Sequence, residues 1–169
     1  MSTKNLSAII AMKKTTNIQT IYNMHTGACI IATGVIQEDQ LCHGRWSTST
    51  TNLEWFISNF VDASGGSTVY KKCNQMVSES DYKDTVMFLT FLYGSNVGVE
   101  ASSLFADLKG RHGKKEMVRA VYEGVAFSHK HSIEKLRNHI DNISVVRMSG
   151  GARRSKVWMQ IFAYILGIR

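Results

Sequence analysis

A near-continuous apolar run from Thr85 to Leu92 constrains the fold of this chain more than any other segment. The run is compact and stops at Tyr93-Gly94-Ser95-Asn96, a group of residues that favours turns. Strands that are apolar on both sides are typical of the centre of a sheet covered by helices. The run therefore predicts a central strand, buried on both faces and followed by a functional loop.

Helix signals lie on both sides of this strand. The segment Thr51 to Glu54 fits a capping box, with a hydroxyl first and a carboxylate three residues later, and predicts a helix that begins at Thr51. A second short helix is predicted over Val69–Val77, and a long one over Lys114–His139. Apolar positions repeat at helical spacing in the first and third of these helices: Leu53, Phe56, Ile57 and Phe60, then Val118, Tyr122, Val125, Leu136 and Ile140, with Ser132 at the same spacing.

Gly124 lies inside the long predicted helix, where a glycine costs about 1 kcal/mol relative to alanine. Such a glycine predicts close packing of the helix against a neighbouring element.

The C-terminal third continues the alternation of strands and helices. Ile143–Met148 predicts a short strand, and Ser155–Leu166 predicts an amphipathic helix with five residues on its buried side: Val157, Trp158, Ile161, Phe162 and Ile165. Weaker strand signals lie at Ala8–Met12 and Ala28–Ile36. The pattern indicates an α/β fold with a mostly parallel or mixed sheet and helices on both faces. Strands 85–92 and 143–148 are expected to be adjacent or near each other.

Composition excludes several classes of protein. The 169 residues suffice for one domain, and no apolar run reaches the length that crosses a bilayer. No secretory signal is evident, so a cytoplasmic protein without a membrane partner is expected. The three cysteines, at 29, 42 and 73, are widely spaced without a CxxC pair, which favours reduced thiols.

The net charge of +7 fits either nucleic acid or phosphate-bearing ligands. Because the basic residues are dispersed and no aromatic RNA-binding motif accompanies them, nucleic acid is not predicted as a partner. His129 and His131 are two residues apart and point in different directions on a helix, while His25 and His43 fit no zinc pattern beside Cys29 and Cys42. No metal site is predicted.

The sequence Ser149-Gly150-Gly151-Ala152 joins the last predicted strand to the last predicted helix. Two glycines let the backbone turn and let a flat ligand approach without Cβ atoms in the way. The helix N-terminus directs amide groups and partial positive charge at the same place, which favours a phosphate or a polar base edge. An ordinary tight turn explains the pattern equally well.

Four segments in the same order resemble the FGGY family of carbohydrate kinases. Ser149–Ala163 is similar to the adenosine-binding segment of that family, and Arg119–Phe127 to the long helix upstream of it. Phe91–Gly98 and Asn52–Phe56 resemble a strand with its loop and a helix start. The resemblance covers about residues 46–169 and is nearest to the L-xylulose kinase and xylulokinase branch.

The resemblance implies an incomplete ribonuclease-H-like domain of the actin/hexokinase type. Residues 1–45 would form a poorly defined N-terminal segment, and residues 46–169 part of the C-terminal domain. It also implies ATP with Mg²⁺ as cofactors, and a sugar substrate that is held by an N-terminal domain missing from this chain. A homodimer is left open.

The resemblance also implies a set of nucleotide-binding residues: Gly150, Gly151, Ala152, Ser155, Thr50 and Glu54. The glycines would meet the adenosine, and Ser155 matches a position that bonds the base in relatives with Asn there. Helix capping is the alternative role for Thr50 and Glu54, and a surface position is the alternative for Ser155.

The chain also departs from the family pattern. Ala32-Thr33-Gly34 is a poor match to the phosphate-binding Gly-Thr loop, since it lies too close to Asn52, and no aspartate precedes Asp39 as a catalytic base. Tyr164 stands where the family usually has Asp. The main hypothesis is therefore the ATP-binding part of a kinase that phosphorylates a pentulose or related sugar, inactive in isolation. The alternative is a non-catalytic remnant or interaction module that keeps the fold.

Overall fold

The computed structural model describes residues 19–23, 28–32, 49–62, 66–94, 101–137, 146–149 and 151–167. Nine helices and strands follow one another in this part of the chain: β1 (Gln19–Asn23), β2 (Ala28–Ala32), α1 (Ser49–Phe56), α2 (Ser67–Glu79), β3 (Met87–Leu89), β4 (Leu104–Ala106), α3 (Lys114–Arg137), β5 (Arg147–Ser149) and α4 (Lys156–Leu166). A π-helical turn, Ile57–Val61, extends α1, and a 3₁₀ turn, Gly151–Arg154, precedes α4. The expected mixture of strands and helices is confirmed.

The described strands form two sheets. β1 lies in the middle of a three-stranded mixed sheet of order β2-β1-β5, antiparallel to β2 and parallel to β5. In register, Ile21 faces Ile30 on one side and Arg147 on the other. The prediction of a strand in Ala28–Ile36 is confirmed for β2, β1 was not foreseen, and Ala8–Met12 lies outside the described residues.

β3 corrects the prediction of a central strand over Thr85–Leu92. It is three residues long and pairs antiparallel with β4 in a separate two-stranded sheet, so in the described residues it does not pair with β5. Phe88 is buried, whereas Met87 and Leu89 on the opposite face are 60% and 41% exposed. The strand is buried on the face that α3 covers, and the other face forms the wall of an open groove.

Helix α3 is the centre of the described core. It packs against α1, α2, α4 and β3, and the predicted positions Val118, Tyr122 and Val125 are almost fully buried. α4 also follows the prediction, because Trp158 and Phe162 are buried and its other predicted apolar residues pack against the core. None of the helices in the described ranges combines the length and apolar character that a membrane span needs.

The start of α1 corrects the predicted capping box. The helix begins at Ser49, so Thr51 lies within the first turn, where its hydroxyl cannot act as the N-cap of this helix. The apolar stripe is otherwise confirmed, since Leu53, Phe56 and Ile57 are buried. Phe60 is 43% exposed because it lies in the wider π-helical turn, which changes the helical spacing.

Gly124 confirms the predicted close approach. A Cβ atom built on it would lie 2.2 Å from the carbonyl oxygen of Phe88, a distance that real side chains do not adopt. The glycine therefore lets α3 contact the backbone of β3 directly.

Candidate functional site

The candidate site is the turn between β5 and α4. β5 ends at Ser149, Gly150 lies outside the described residues, and Gly151 opens the 3₁₀ turn. Gly151 is exposed, its φ lies outside the left-handed region, and an added Cβ would meet no atom of the described residues within 4 Å. Ala152 is buried beneath the turn. The backbone at Gly151 is thus open to a ligand, while the following residue attaches the turn to the core.

Ser155 is the N-cap of α4 and is 9% exposed. Its Oγ accepts a hydrogen bond of 3.1 Å from the backbone N–H of Trp158 and donates one of 2.6 Å to Oδ1 of Asn74 on α2. The same Oδ1 accepts a hydrogen bond of 3.0 Å from the hydroxyl of Tyr122 on α3. The alternative of an ordinary surface residue is therefore wrong, and Ser155 joins the turn to two other helices.

Trp158 strengthens this attachment. Its ring stacks on Tyr122 with 4.4 Å between ring centroids, and its Nε1 donates a 3.1 Å hydrogen bond to the Tyr122 carbonyl oxygen. Burial raises the pKa of Tyr122 above its usual value, so the phenol remains protonated as a hydrogen-bond donor. The first turn of α4 is therefore held in a fixed place on α3.

The charge around the turn favours an anion. Arg153 and Arg154 end the 3₁₀ turn and Lys156 begins α4, and all three are exposed. They add to the partial positive charge of the helix N-terminus. A ligand with phosphates is attracted by both contributions.

Thr50 and Glu54 lie on α1 and are not connected to the turn by hydrogen bonds among the described residues. Among the described residues, neither one shares a hydrogen bond or ion pair with residues 151–155. The Thr50 hydroxyl oxygen is buried without a hydrogen-bond partner in that part of the chain, and Glu54 is exposed. The pKa of Tyr70 on α2 is raised mainly by burial of the phenol and, to a smaller extent, by the negative charge of Glu54. The Glu54 carboxylate therefore lies near α2. The nucleotide-binding roles of both residues stay predictions.

The two described histidines of interest occupy different environments on α3. His129 is 3% exposed and packs edge-on against Phe162 with 5.4 Å between ring centroids, whereas His131 is exposed. In the ranges that the structure describes, no three His, Cys, Asp or Glu residues are grouped as a metal site.

His129 should make the stability of the protein depend on pH. Burial lowers its pKa from 6.5 to about 3, so the unfolded chain binds one more proton between these two values. The contribution of neutral His129 to the free energy of unfolding is largest above pH 6.5. It falls as pH decreases, by about 2 kcal/mol between pH 7 and pH 5. We expect His129→Leu to remove most of this pH dependence in urea unfolding at the two pH values. An equal slope in both proteins would contradict the prediction.

A second concave surface lies between β3, α3 and α4. It is an open groove of about 1150 Å³ with mainly apolar walls, which include Met87, Leu89, Phe127, Ile161 and Tyr164. Phe127 is 55% exposed, because nothing in the described residues covers this side of α3. Among the residues that the structure describes, none of the predicted nucleotide-binding residues lines the groove.

The fold is shared with solved sugar kinases. The structure of xylulose kinase from Rhodospirillum rubrum superposes with a TM-score of 0.79 at 20% identity, covering 97% of this chain and 36% of that one. Plasmodium falciparum glycerol kinase, solved with ADP, superposes with a TM-score of 0.67 at 16% identity, covering 89% of this chain and 34% of that one. The chain therefore has part of the α/β, ribonuclease-H-like fold of the actin/hexokinase type.

Sequence comparison defines the family. The model of the C-terminal domain of the FGGY family of carbohydrate kinases matches residues 33–169, so this chain belongs to that family. L-xylulose/3-keto-L-gulonate kinase of Escherichia coli (strain K12) is 35% identical over 130 residues, which cover 76% of this chain and 25% of that protein. The chain thus spans about a quarter of the length of this relative.

Sequence reasoning missed Asn74 as part of the site. It is half-buried on α2, 81 residues before Ser155, and nothing in its local pattern separates it from a polar surface residue. Tyr122 was expected in the core, which is confirmed, but its hydroxyl contact with Asn74 was not foreseen. Such contacts depend on how three helices pack and cannot be derived from spacing along one of them.

Proposed function

We propose that this chain is the adenine-nucleotide-binding part of a sugar kinase, which transfers the γ-phosphoryl group of ATP to a hydroxyl of a pentulose or related sugar. The observation that carries the proposal is the open backbone at Gly151, in front of a firmly attached helix N-terminus with basic neighbours. ATP would bind with Mg²⁺, and the cytoplasm is the compartment proposed.

Several features support the site. Adenosine needs a flat approach to the backbone, which Gly151 allows because no atom from the part of the chain that the structure describes lies within 4 Å of its Cβ position. Arg153, Arg154 and the α4 N-terminus attract phosphates, although Gly150 itself lies outside the described residues. The similar glycerol kinase structure contains ADP. The sugar would be bound by a further domain, since phosphoryl transfer depends on both substrates being positioned together.

We expect Gly151→Val to weaken ADP binding at least tenfold without lowering the melting temperature. The φ of Gly151 suits any residue and its Cβ position is open, so valine should obstruct only a ligand. Calorimetric titration with ADP, together with thermal melting, measures both effects.

Ser155→Ala should remove one hydrogen bond to the base and lower the affinity for ADP a few-fold. Equal binding by wild type and both variants would place the nucleotide elsewhere.

The isolated chain should not phosphorylate any pentulose or hexulose. It lacks a recognisable catalytic aspartate and phosphate-binding Gly-Thr loop, and it spans only about a quarter of the E. coli kinase. A coupled ADP-release assay with a panel of sugars tests this expectation. Sugar-dependent turnover that remains after a second purification would show that the catalytic groups are present after all.

The alternative function is an interaction module that keeps the kinase fold. The apolar groove between β3, α3 and α4 favours it, since exposed apolar surfaces of this kind mark contact sites. This alternative predicts that Met87→Asp disrupts binding of a partner protein, whereas Gly151→Val has no effect on any ligand. The nucleotide titration above therefore separates the two functions.

A further inference from the structure

We propose that Asn74 is a positioning residue for the nucleotide site, which fixes the Ser155 hydroxyl so that it can only accept a hydrogen bond from the ligand. The inference rests on the proposed function, in which Ser155 meets the base of an adenine nucleotide. It adds the reason why the site would select a base with an amino group.

The argument begins with the hydrogen-bond capacity of Ser155. A hydroxyl has one proton to donate and two lone pairs that accept. The proton is directed at Asn74 Oδ1, 2.6 Å away, and one lone pair accepts the Trp158 N–H at 3.1 Å. One lone pair remains for a ligand, so Ser155 offers an acceptor and no donor.

Asn74 is held in this orientation from the other side. Its Oδ1 also accepts from the Tyr122 hydroxyl at 3.0 Å, and Tyr122 is 1% exposed and stacked on Trp158. In the structure Oδ1 accepts both O–H groups, and only this amide orientation allows it, because the amide nitrogen cannot accept a proton. The direction of the Ser155 hydroxyl proton is thus determined by Asn74 on α2 and Tyr122 on α3, which do not contact the ligand themselves.

The consequence is a preference among bases. The 6-amino group of adenine donates a hydrogen bond and fits a lone pair, whereas purine riboside lacks that group and presents only acceptors on the same edge. A lone pair facing an acceptor leaves both without a partner. We expect wild-type protein to bind ADP about three- to tenfold more tightly than purine riboside diphosphate.

Two variants of Asn74 test the inference. Asn74→Asp keeps an oxygen that accepts from both hydroxyl groups and should retain the wild-type preference. Asn74→Leu releases the Ser155 proton, which can then turn towards the purine, so the preference should fall towards one. Tyr122→Phe removes the hydroxyl that holds Oδ1 from the other side and leaves the bond to Ser155. Its preference should lie between those of wild type and Asn74→Leu.

The readouts are calorimetric affinities for the two nucleotides, melting temperature and amide hydrogen exchange at Trp158. A lower preference in Asn74→Leu, restored in Asn74→Asp, supports the inference. An unchanged preference with a lower melting temperature in Asn74→Leu overturns it, because Asn74 would then be structural only.

If wild type binds neither nucleotide, the proposed function fails. Hydrogen exchange then tests separately whether Asn74 positions Ser155. Faster exchange confined to the first turn of α4 in Asn74→Leu, and restored in Asn74→Asp, would support its positioning of Ser155. Unchanged exchange, or faster exchange along all of α3 and α4, would overturn that role as well.

Discussion

Trp158→Ala is expected to lower the free energy of unfolding by about 3–5 kcal/mol, the usual loss for a large buried aromatic side chain. Trp158 is 2% exposed, stacks on Tyr122 and packs near Phe162. The substitution also removes the hydrogen bond that the indole N–H of Trp158 donates to the Tyr122 carbonyl oxygen. Urea denaturation followed by circular dichroism measures the change.

Tyr164→Ala is the control on the same helix. Tyr164 is 86% exposed, so its loss should change stability by no more than about 0.5 kcal/mol. If the Trp158 and Tyr164 variants lost similar stability, the packing of α4 against α3 described above would be wrong.

Gly124→Ala is expected to destabilise the protein by about 1–3 kcal/mol, although alanine is the better helix former. The added methyl group would lie 2.2 Å from the Phe88 carbonyl oxygen, which is backbone and cannot rotate away. α3 and β3 would have to separate, and that loss outweighs a propensity gain of about 1 kcal/mol.

Gly113→Ala provides the comparison. Its added Cβ would lie 3.7 Å from Oε2 of Glu116, an ordinary contact with a flexible side chain. Denaturation midpoints of both variants test the difference. A Gly124→Ala protein as stable as wild type would show that α3 does not approach β3 so closely.

Local pattern predicted the helices of this domain well. The position of Gly124 in the middle of a helical pattern indicated close packing, and the apolar spacing in α3 and α4 identified the residues that are buried. These predictions succeeded because a helix buries one side at a fixed period, whatever its neighbours are.

The strands were less predictable because their burial depends on distant segments. The run over Thr85–Leu92 has the composition of a central strand, yet within the described ranges β3 pairs with β4 alone, and its outer face lines a groove. Likewise, Arg111 binds both carboxylate oxygens of Asp84 at 2.6 and 2.7 Å across 27 residues, a contact that no local motif signals.

The candidate site was predictable only in part. The turn and its helix were expected from two glycines between a strand and an amphipathic segment, and Ser155 followed from the family resemblance. The capping of α4 by Ser155, and the dependence of its hydroxyl on Asn74, require the packing of three helices. A predicted N-cap at Thr51 was wrong because the helix starts two residues earlier, in a run of hydroxyl side chains.

Amide hydrogen exchange with and without ADP tests the central claim most directly, because it reports both whether and where the nucleotide binds. We predict slower exchange at millimolar ADP in residues 151–158, with little change along β3 and the side of α3 that lines the groove. No protection anywhere in a folded protein, or protection confined to Met87–Leu89 and Phe127, would contradict the assignment of the turn between β5 and α4 as the nucleotide site.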